Sequence, residues 1–241
     1  MRLGIIGGGR AAWAFGSTWR RIGWPLAGIA LRSENPIAGL LGVPRRSAAD
    51  LAKDSELILI AVSDRAIGEV AGSIPQTQAI IFHPSGIVTS VRGGFSLHPL
   101  KALAPVGEGS DLRHALLVFE GAHGDVARHI ADAAGARFAE IKPEQKALYH
   151  AAAVFGSNYI AALLDIAEEL IGIDQARDDL AALAESAIEN WRRHEDSRRF
   201  TGPAARGDRE VIARHLAALG SDPQLAELYR LLAERILATA K

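Results

Sequence analysis

Over residues 1–142, short apolar runs alternate with segments whose apolar residues recur at helical spacing. The clearest run, LILIAVS at 57–63, is typical of a strand buried at the centre of a sheet. Further runs predict strands at 3–7, 26–32, 79–86, 94–100, 114–121 and 136–141. Because helical patterns such as 10–23 lie between strands, the alternation predicts a parallel sheet with helices on both faces.

After Pro143 the strand pattern stops and helical spacing continues to the end of the chain. One long helix is predicted over 143–171, because Pro143 suits a first turn and Gly172 suits a helix end. Further helices are predicted at 174–193, 209–219 and 221–240, with the polar stretch 194–208 between the first two. The pattern therefore predicts an α/β Rossmann dinucleotide-binding domain, residues 1–142, followed by an all-α domain, residues 143–241.

Polar side chains share one face of the helix predicted over 143–171. At about 100° per residue, Lys146, His150 and Ser157 fall within about 40° of one another. Asn158 borders this stripe, and small residues flank it, leaving room for a ligand or another backbone. One interpretation is a solvated helix face. The other is a catalytic wall on which the lysine polarises or protonates the reacting atom, the histidine relays protons, and the serine and asparagine position the substrate.

The segment IIGGGRAAWAFG, residues 5–16, has the glycine spacing of a dinucleotide-binding turn. Its first glycine permits a tight strand-to-helix turn, the second lets a pyrophosphate approach the backbone, and the later small residue lets the helix pack closely. Free N–H groups at the helix start favour an anion. The predicted cofactor contacts here are Gly7, Gly9, Arg10, Ala11 and Ala12. The alternative is a purely structural glycine turn.

The residues after the second predicted strand discriminate between dinucleotides. NAD enzymes usually place an acidic residue there for the ribose hydroxyls, whereas an arginine suits the additional phosphate of NADP. This chain has Arg32 and Ser33 at that position, and Glu34 comes later. The sequence therefore favours NADP(H), unless Arg32 is only a surface loop residue.

Polar groups also follow three other predicted strands, where ligands bind in open parallel sheets. They are AVSD at 61–64, HPSG at 83–86 and HPL at 98–100. Predicted cofactor contacts from the first two are Val62, Ser63, His83, Ser85 and Gly86, and His98 is a weaker catalytic candidate. For each histidine, the alternative is a turn residue satisfied by local hydrogen bonds before a proline.

Composition excludes several other functions. The 27 basic and 28 acidic residues nearly cancel, which argues against nucleic-acid binding, and the absence of cysteine excludes disulfides and thiolate chemistry. No histidine cluster has metal-ligand spacing, so no metal is expected. No signal peptide and no uninterrupted apolar stretch of about 18 residues is found, so we expect a soluble cytoplasmic protein without a membrane partner.

Arg206, in the loop TGPAARGD, is a candidate contact for an anionic group, although that loop is also explained by Asp208 capping the next helix.

The order of these motifs resembles a known family along nearly the whole chain. The chain is similar to Rossmann-like proteins whose C-terminal half is the domain of unknown function 2520, relatives of 6-phosphogluconate dehydrogenase-like and pyrroline-5-carboxylate reductase-like enzymes. The resemblance rests on the glycine turn, AVSDRAI, HPSG, HPL, FEG, YHAAAVFGSNY and TGPAARGD. It implies an NADP-type oxidoreductase fold with a helical second domain that often dimerises.

Two positions depart from the patterns of these relatives. Related β-hydroxyacid dehydrogenases carry Lys-x-x-x-Asn on the corresponding helix, whereas His150 here replaces the amide, so their hydroxyacid substrates do not carry over. Lys101 stands after HPL, where the family more usually has glutamine.

Together these features predict an NADP(H)-dependent oxidoreductase acting on a small carbonyl, hydroxy or imine substrate. A homodimer through the helical domain is expected. The first alternative is a non-catalytic NADPH-binding sensor, which needs the glycine turn but not the Lys146/His150 pair. The second is a protein of this fold that binds another nucleotide.

Overall fold

The computed structural model describes residues 1–239, and the chain divides between Tyr159 and Ile160 into two compact units. All seven predicted strands are present in the first unit. They are β1 (Leu3–Ile6), β2 (Leu26–Ala30), β3 (Leu57–Ile60), β4 (Ile80–His83), β5 (Phe95–Leu100), β6 (Leu116–Gly121) and β7 (Arg137–Glu140).

The helices of the chain follow the predicted order, with short additional ones in the first unit and one at Pro203–Arg206, within the stretch 194–208 that was predicted as a polar connection. They are α1 (Arg10–Arg21), α2 (Ile37–Leu41), α3 (Ala48–Asp54), α4 (Ile67–Ser73), α5 (Gly124–Ala134), α6 (Lys146–Phe155), α7 (Asn158–Ile171), α8 (Arg177–Arg193), α9 (Pro203–Arg206), α10 (Arg209–Ala218) and α11 (Pro223–Thr239). Turns of 3₁₀ helix cover Asp64–Ala66, Pro143–Gln145 and Ser197–Arg199.

The seven strands form one sheet in the order β2-β1-β3-β4-β5-β6-β7. The prediction of a parallel sheet is confirmed except at one place, where β5 and β6 pair antiparallel from Phe95↔Gly121 to Leu100↔Leu116. The chain reverses direction in the loop 101–115 between these two strands, so β6 returns alongside β5. The other neighbouring strands pair parallel, so the carboxyl ends of β1, β3, β4 and β5 meet at one edge.

Apolar side chains cover both faces of the sheet, as predicted. On one face α1, α2 and α5 pack around a core that includes Phe15, Phe82, Phe95 and Phe119. On the other face α3 and α4 enclose an aliphatic core containing Leu51, Ile58, Ile60 and Ile67. The second core lies under β1–β4, and the same face of β5 and β6 includes the polar side chains of Ser96, His98 and Glu120.

The helix predicted over 143–171 is interrupted. A 3₁₀ turn leads into α6, which ends at Gly156, and α7 follows from Asn158. By length and hydropathy, Pro143–Ile171 is one segment apolar enough to cross a membrane, a property also found in helices of soluble proteins. The polar stripe faces inward: Lys146 is buried, whereas Leu148 is 79% and Phe155 68% exposed.

The second unit consists of the remainder of α7 and helices α8–α11. Its core contains Ala204, Ile212 and Ala233, packed by Leu216, Tyr229, Ile236 and Leu237. Asp208 caps α10 as expected, since its Oδ1 accepts a hydrogen bond of 3.1 Å from the Val211 N–H. The domain boundary after residue 142 stays a prediction, and the break between compact units lies after Tyr159.

Candidate functional site

The glycine turn between β1 and α1 has the shape that a dinucleotide requires. Gly7 has φ +116°, and a Cβ there would lie 2.1 Å from the carbonyl oxygen of Ala61 at the end of β3. At Gly9 a Cβ would meet nothing within 4 Å, so the backbone is open on the side where a ligand would lie. Only glycine fits the first position, whereas the second is kept free of side-chain atoms.

The first turn of α1 has N–H groups available to an anion. Gly9 is its N-cap and supplies no side-chain hydrogen bond, and the turn contains no acidic residue. Arg10 is exposed, Ala11 is half-buried and Ala12 packs fully into the core. Because helix N-termini attract phosphate through free N–H groups and the helix dipole, these residues fit the pyrophosphate of a dinucleotide.

Asn35, which sequence reasoning missed, holds the glycine turn in place. Its Nδ2 donates to the Gly8 carbonyl oxygen at 3.2 Å, and its Oδ1 accepts from the Ile37 N–H at 3.0 Å. The amide therefore ties the turn to the start of α2. Asparagine in a loop is too common for the sequence alone to single out this residue.

A second arginine joins the loop after β2. Arg32, Ser33 and Glu34 are all exposed there. Arg45 reaches the same loop, where its Nη2 donates to the carbonyl oxygens of Leu31 at 3.4 Å and Ser33 at 3.2 Å. An isolated parallel bridge between Ile29 and Arg45 brings it there, and that pairing has no signal in the sequence. The loop that follows β2 thus contains Arg32 and is also contacted by the guanidinium group of Arg45.

The side chains of His83 and Ser85 build the loop after β4. His83 is fully buried, its Nε2 donates to the Thr89 carbonyl oxygen at 3.0 Å, and its Nδ1 accepts from the Ser85 N–H at 3.3 Å. Burial lowers the pKa of His83, which agrees with this neutral tautomer. Ser85 Oγ accepts from the N–H groups of Ile87 and Val88. Both side chains were predicted to touch the cofactor, and both have their polar atoms engaged within the loop.

Lys146 lies beneath this loop and is almost completely buried, with 2% of the residue exposed. Its Nζ donates to Ser96 Oγ at 2.7 Å and to the Ser85 carbonyl oxygen at 3.2 Å. The carboxylate of Glu120, itself 3% exposed, lies 3.8 Å from Nζ. Burial lowers the pKa of Lys146, and the negative charge of Glu120 opposes that shift.

Glu120 anchors the polar layer on β5 and β6. One carboxylate oxygen accepts from the Ser90 N–H at 2.8 Å and from Ser96 Oγ at 3.2 Å. The other accepts from Ser90 Oγ at 3.0 Å. Sequence reasoning noted Glu120 only within the motif FEG and gave it no role. The available signal was an acidic residue within an otherwise apolar predicted strand, together with a lysine on a later predicted helix.

Next to this layer, His98 and His150 lie beside Gly86, and Tyr149 contacts His98. The Tyr149 hydroxyl lies 2.6 Å from His98 Nδ1, and the rings of His98 and His150 meet edge to face with centroids 5.9 Å apart. A Cβ on Gly86 would lie 2.5 Å from His150 Cδ2 and 3.2 Å from His98 Nε2. The loop glycine therefore permits two imidazole rings to approach the carboxyl edge of the sheet together.

Burial determines the protonation states of His98 and Tyr149. Burial first, and then the charges of His150 and Lys146, lower the pKa of His98 to about 4. Burial raises the pKa of Tyr149 to about 12. At neutral pH His98 is a neutral imidazole and Tyr149 a neutral phenol. Tyr149 was not among the predicted site residues, although it stands beside His150 in the sequence.

Among the other predicted residues, Val62 and Ser157 contact neighbours outside this cluster. Val62 packs against the glycine turn, where its Cγ1 would lie 3.3 Å from a Cβ on Gly7, and Ser63 is exposed beside it. Ser157, between α6 and α7, donates from Oγ to the Ala153 carbonyl oxygen on α6 at 2.6 Å, so this hydroxyl already has an acceptor. Asn158 and Arg206 are exposed, the second of them in the second unit. Within residues 1–239, no group of three or more His, Asp or Glu side chains is arranged to hold a metal ion.

Comparisons with known proteins agree with this architecture. Residues 118–236 match the family model described as Domain of unknown function (DUF2520). No curated protein sequence matches the chain.

Solved structures with the same fold cover nearly the whole chain. A Bacteroides fragilis protein proposed to be an NADP oxidoreductase is 22% identical with a TM-score of 0.81, and 98% of each chain is covered. A Thermotoga maritima protein is 23% identical with a TM-score of 0.76, covering 99% of this chain and 98% of that one. Plasmodium falciparum pyrroline carboxylate reductase with NADP bound is 12% identical with a TM-score of 0.61, covering 100% and 98%. The chain therefore has a Rossmann-type fold, and its residues 118–236 are similar to the DUF2520 family.

Proposed function

We propose that the chain is an NADP(H)-dependent oxidoreductase acting on a small carbonyl, hydroxy or imine compound. The observation that carries this proposal is that an open glycine turn and the His98/His150 pair lie along the same carboxyl edge of one sheet. Ligands of open parallel sheets bind along this edge. A nucleotide-binding turn alone would be equally consistent with a sensor, whereas the paired imidazoles add groups that can polarise a substrate.

The residues proposed to hold the cofactor come from four strand ends. Gly7, Gly9, Arg10, Ala11 and Ala12 would bind the pyrophosphate, and Val62, Ser63 and Gly86 would border the rest of the cofactor. When bound, a nicotinamide supplies or accepts a hydride. Arg32 and Arg45 would bind the additional phosphate that distinguishes NADP from NAD, because guanidinium groups suit phosphate and no acidic side chain precedes Arg32 in the loop.

The proposed division of labour among the polar residues differs from the one predicted from the sequence. His98 is the better candidate to contact the reacting oxygen or nitrogen, because its Nε2 lies beside Gly86 and has no hydrogen-bond partner within residues 1–239. Lys146 already has two acceptors and an anionic neighbour. We therefore propose that Lys146 holds the Ser85–Gly86 loop under the site, and that His150 forms the adjacent wall.

Cofactor titrations test the NADP assignment. Isothermal titration of NADPH and NADH into the wild type should give tighter binding of NADPH. Arg32→Ala and Arg45→Ala should each weaken NADPH binding and leave NADH binding nearly unchanged. Arg137→Ala is the matched control, because it removes an exposed arginine from β7 at the opposite end of the sheet. Equal wild-type affinities for the two cofactors would overturn the preference for NADP, and tight binding of a different nucleotide would overturn the whole assignment.

Measurements of turnover distinguish the proposed enzyme from the alternative, a non-catalytic NADPH-binding sensor. NADPH oxidation is followed over a panel of ketones, ketoacids and cyclic imines, with His98→Gln as the variant that should lose the rate while keeping cofactor affinity. A silent panel, combined with association to other proteins that changes with cofactor, would favour the non-catalytic sensor.

We also propose that the chain forms a homodimer through its helical segments. Large apolar side chains are exposed in both units, among them Leu148 and Phe155 on α6 and Leu183 and Trp191 on α8. Exposed apolar surface of this kind typically marks an interaction site. Sedimentation equilibrium should give a dimer that Trp191→Glu weakens. A monomeric wild type that floats with lipid vesicles would instead favour a membrane as the occupant of this surface.

A further inference from the structure

Tyr149 makes one side-chain contact that the proposed reaction has not used. Its hydroxyl oxygen lies 2.6 Å from His98 Nδ1, and the two rings meet edge to face at 84° with centroids 5.5 Å apart. Both side chains are half-buried, the tyrosine on α6 and the histidine on β5. Within residues 1–239 the tyrosine hydroxyl has no other hydrogen-bond partner.

The contact fixes which nitrogen of His98 carries the proton. A neutral imidazole has one N–H donor and one lone-pair acceptor, and a neutral phenol can donate its O–H. Donation from Tyr149 to Nδ1 satisfies both groups and leaves the proton of His98 on Nε2. The reverse arrangement would leave the phenol O–H without an acceptor in the described part of the chain.

We propose that Tyr149 is a positioning residue that holds His98 in the Nε2–H tautomer, so that this N–H is offered beside Gly86 to a neutral acceptor atom of the substrate. The consequence for the reaction rests on the proposed function. A carbonyl oxygen has lone pairs for this donor, whereas a protonated imine nitrogen has none. Among the substrate types proposed above, the geometry therefore selects a ketone or ketoacid over a protonated imine.

The experiment measures the tautomer directly in the protein without cofactor or substrate. Long-range ¹H–¹⁵N correlation spectra of ¹⁵N-histidine-labelled protein distinguish protonated from unprotonated ring nitrogens, and the loss of signals in His98→Gln assigns them. The test variant is Tyr149→Phe, which removes only the hydroxyl. The matched control is Tyr229→Phe, because Tyr229 makes the same 2.6 Å contact to Nδ1 of His215 in the second unit.

We expect wild-type His98 to be protonated at Nε2 and unprotonated at Nδ1. Tyr149→Phe should shift these signals toward an average of the two tautomers, while Tyr229→Phe should leave them unchanged. A wild-type proton on Nδ1, or an unchanged tautomer in Tyr149→Phe, would overturn the proposal. These results do not depend on any turnover, so a silent substrate panel would count against the proposed function and not against the tautomer.

Kinetics give a second readout once a substrate is found. Tyr149→Phe should then lower kcat at least about tenfold and leave KM for NADPH unchanged, because the hydroxyl acts on the group that contacts the substrate. An unchanged kcat would overturn the role of Tyr149 in the reaction. The preference for ketones over cyclic imines is read from the same panel, and faster turnover of imines would overturn the substrate class.

Discussion

Lys146 and Glu120 lie opposite each other inside the first unit, with Nζ 3.8 Å from Oε2 and with only 2% and 3% of the side chains exposed. Ser96 lies between them, since its Oγ accepts from the lysine and contacts the carboxylate. The pair joins α6 to β5 and β6, and through the Ser85 carbonyl oxygen it also supports the loop that carries Gly86. The stripe of polar residues on α6 is therefore the side of the helix that contacts the sheet.

Breaking this pair should destabilise the protein strongly. Lys146→Met leaves the buried Glu120 carboxylate without its countercharge, which typically costs about 3–5 kcal/mol. Glu120→Leu should have a similar effect, because it leaves the buried Lys146 ammonium without its countercharge. The double variant should lose less than the sum of the two, because it leaves neither charge unpaired.

Urea unfolding measures these free energies. Arg193→Ala is the control, because it breaks an exposed ion pair with Glu189 on α8, whose removal should leave the free energy of unfolding nearly unchanged. The interpretation fails if Lys146→Met costs no more than this control.

The sequence predicted the parts of the fold that depend on local pattern. The seven strands have apolar runs long enough to be recognised, and the face of α6 that turns inward follows from helical spacing alone. The antiparallel pairing of β5 with β6 has no such local signal. The same holds for Arg45 and Asn35, because tertiary packing brings each to its partner from a distant element.

The prediction of catalytic residues was limited for the same reason, because it also depended on contacts between distant elements. Lys146 and His150 share a face in the sequence, but spacing cannot tell a lysine with buried acceptors from one open to a substrate. The choice between Lys146 and His98 required the positions of Ser85, Ser96 and Gly86, which lie on other elements.

Gly86→Ala should impair the site while the fold remains intact. The added Cβ would lie 2.5 Å from His150 Cδ2 and 3.2 Å from His98 Nε2, so at least one imidazole must move. We expect turnover to fall by about tenfold or more, since small displacements of positioned groups have large effects on rate. NADPH oxidation measures this effect, and circular dichroism checks the fold. Gly68→Ala on α4 is the control, because a Cβ there meets nothing within 4 Å. Full activity in Gly86→Ala would remove the imidazole pair from the proposed mechanism.

Gly9→Ala should separate cofactor binding from stability. A Cβ at this position meets no protein atom within 4 Å, and the N-cap φ of −89° suits alanine, so thermal unfolding should be almost unchanged. The same Cβ would occupy the side from which a pyrophosphate approaches the backbone, and NADPH affinity should fall at least about tenfold. Gly7→Ala is the contrasting variant, because its Cβ would lie 2.1 Å from the Ala61 carbonyl oxygen and should destabilise the fold itself. Unchanged NADPH affinity in Gly9→Ala would mean that the glycine turn is only structural.

The buried histidines should make stability fall as the pH drops below neutrality. Burial, followed by the charges of His150 and Lys146 on α6, lowers the pKa of His98 from 6.5 to about 4. The charge of Asp64, which follows β3, opposes this shift. Between these two values the unfolded chain binds the proton and the folded chain does not, so the free energy of unfolding decreases as pH falls from about 6.5 toward 4. Each unit of pKa difference corresponds to about 1.4 kcal/mol.

Urea unfolding at a series of pH values measures this slope. His98→Gln should reduce it, and ring proton signals of His98 should show the low pKa directly in the folded protein. Above pH 6.5 the wild type and His98→Gln should show no pH-dependent difference from this residue, because His98 is then neutral in both the folded and the unfolded state. An unchanged slope in His98→Gln would mean that His98 titrates normally in the fold. The imidazole would then be too accessible to serve as the neutral donor that the site requires.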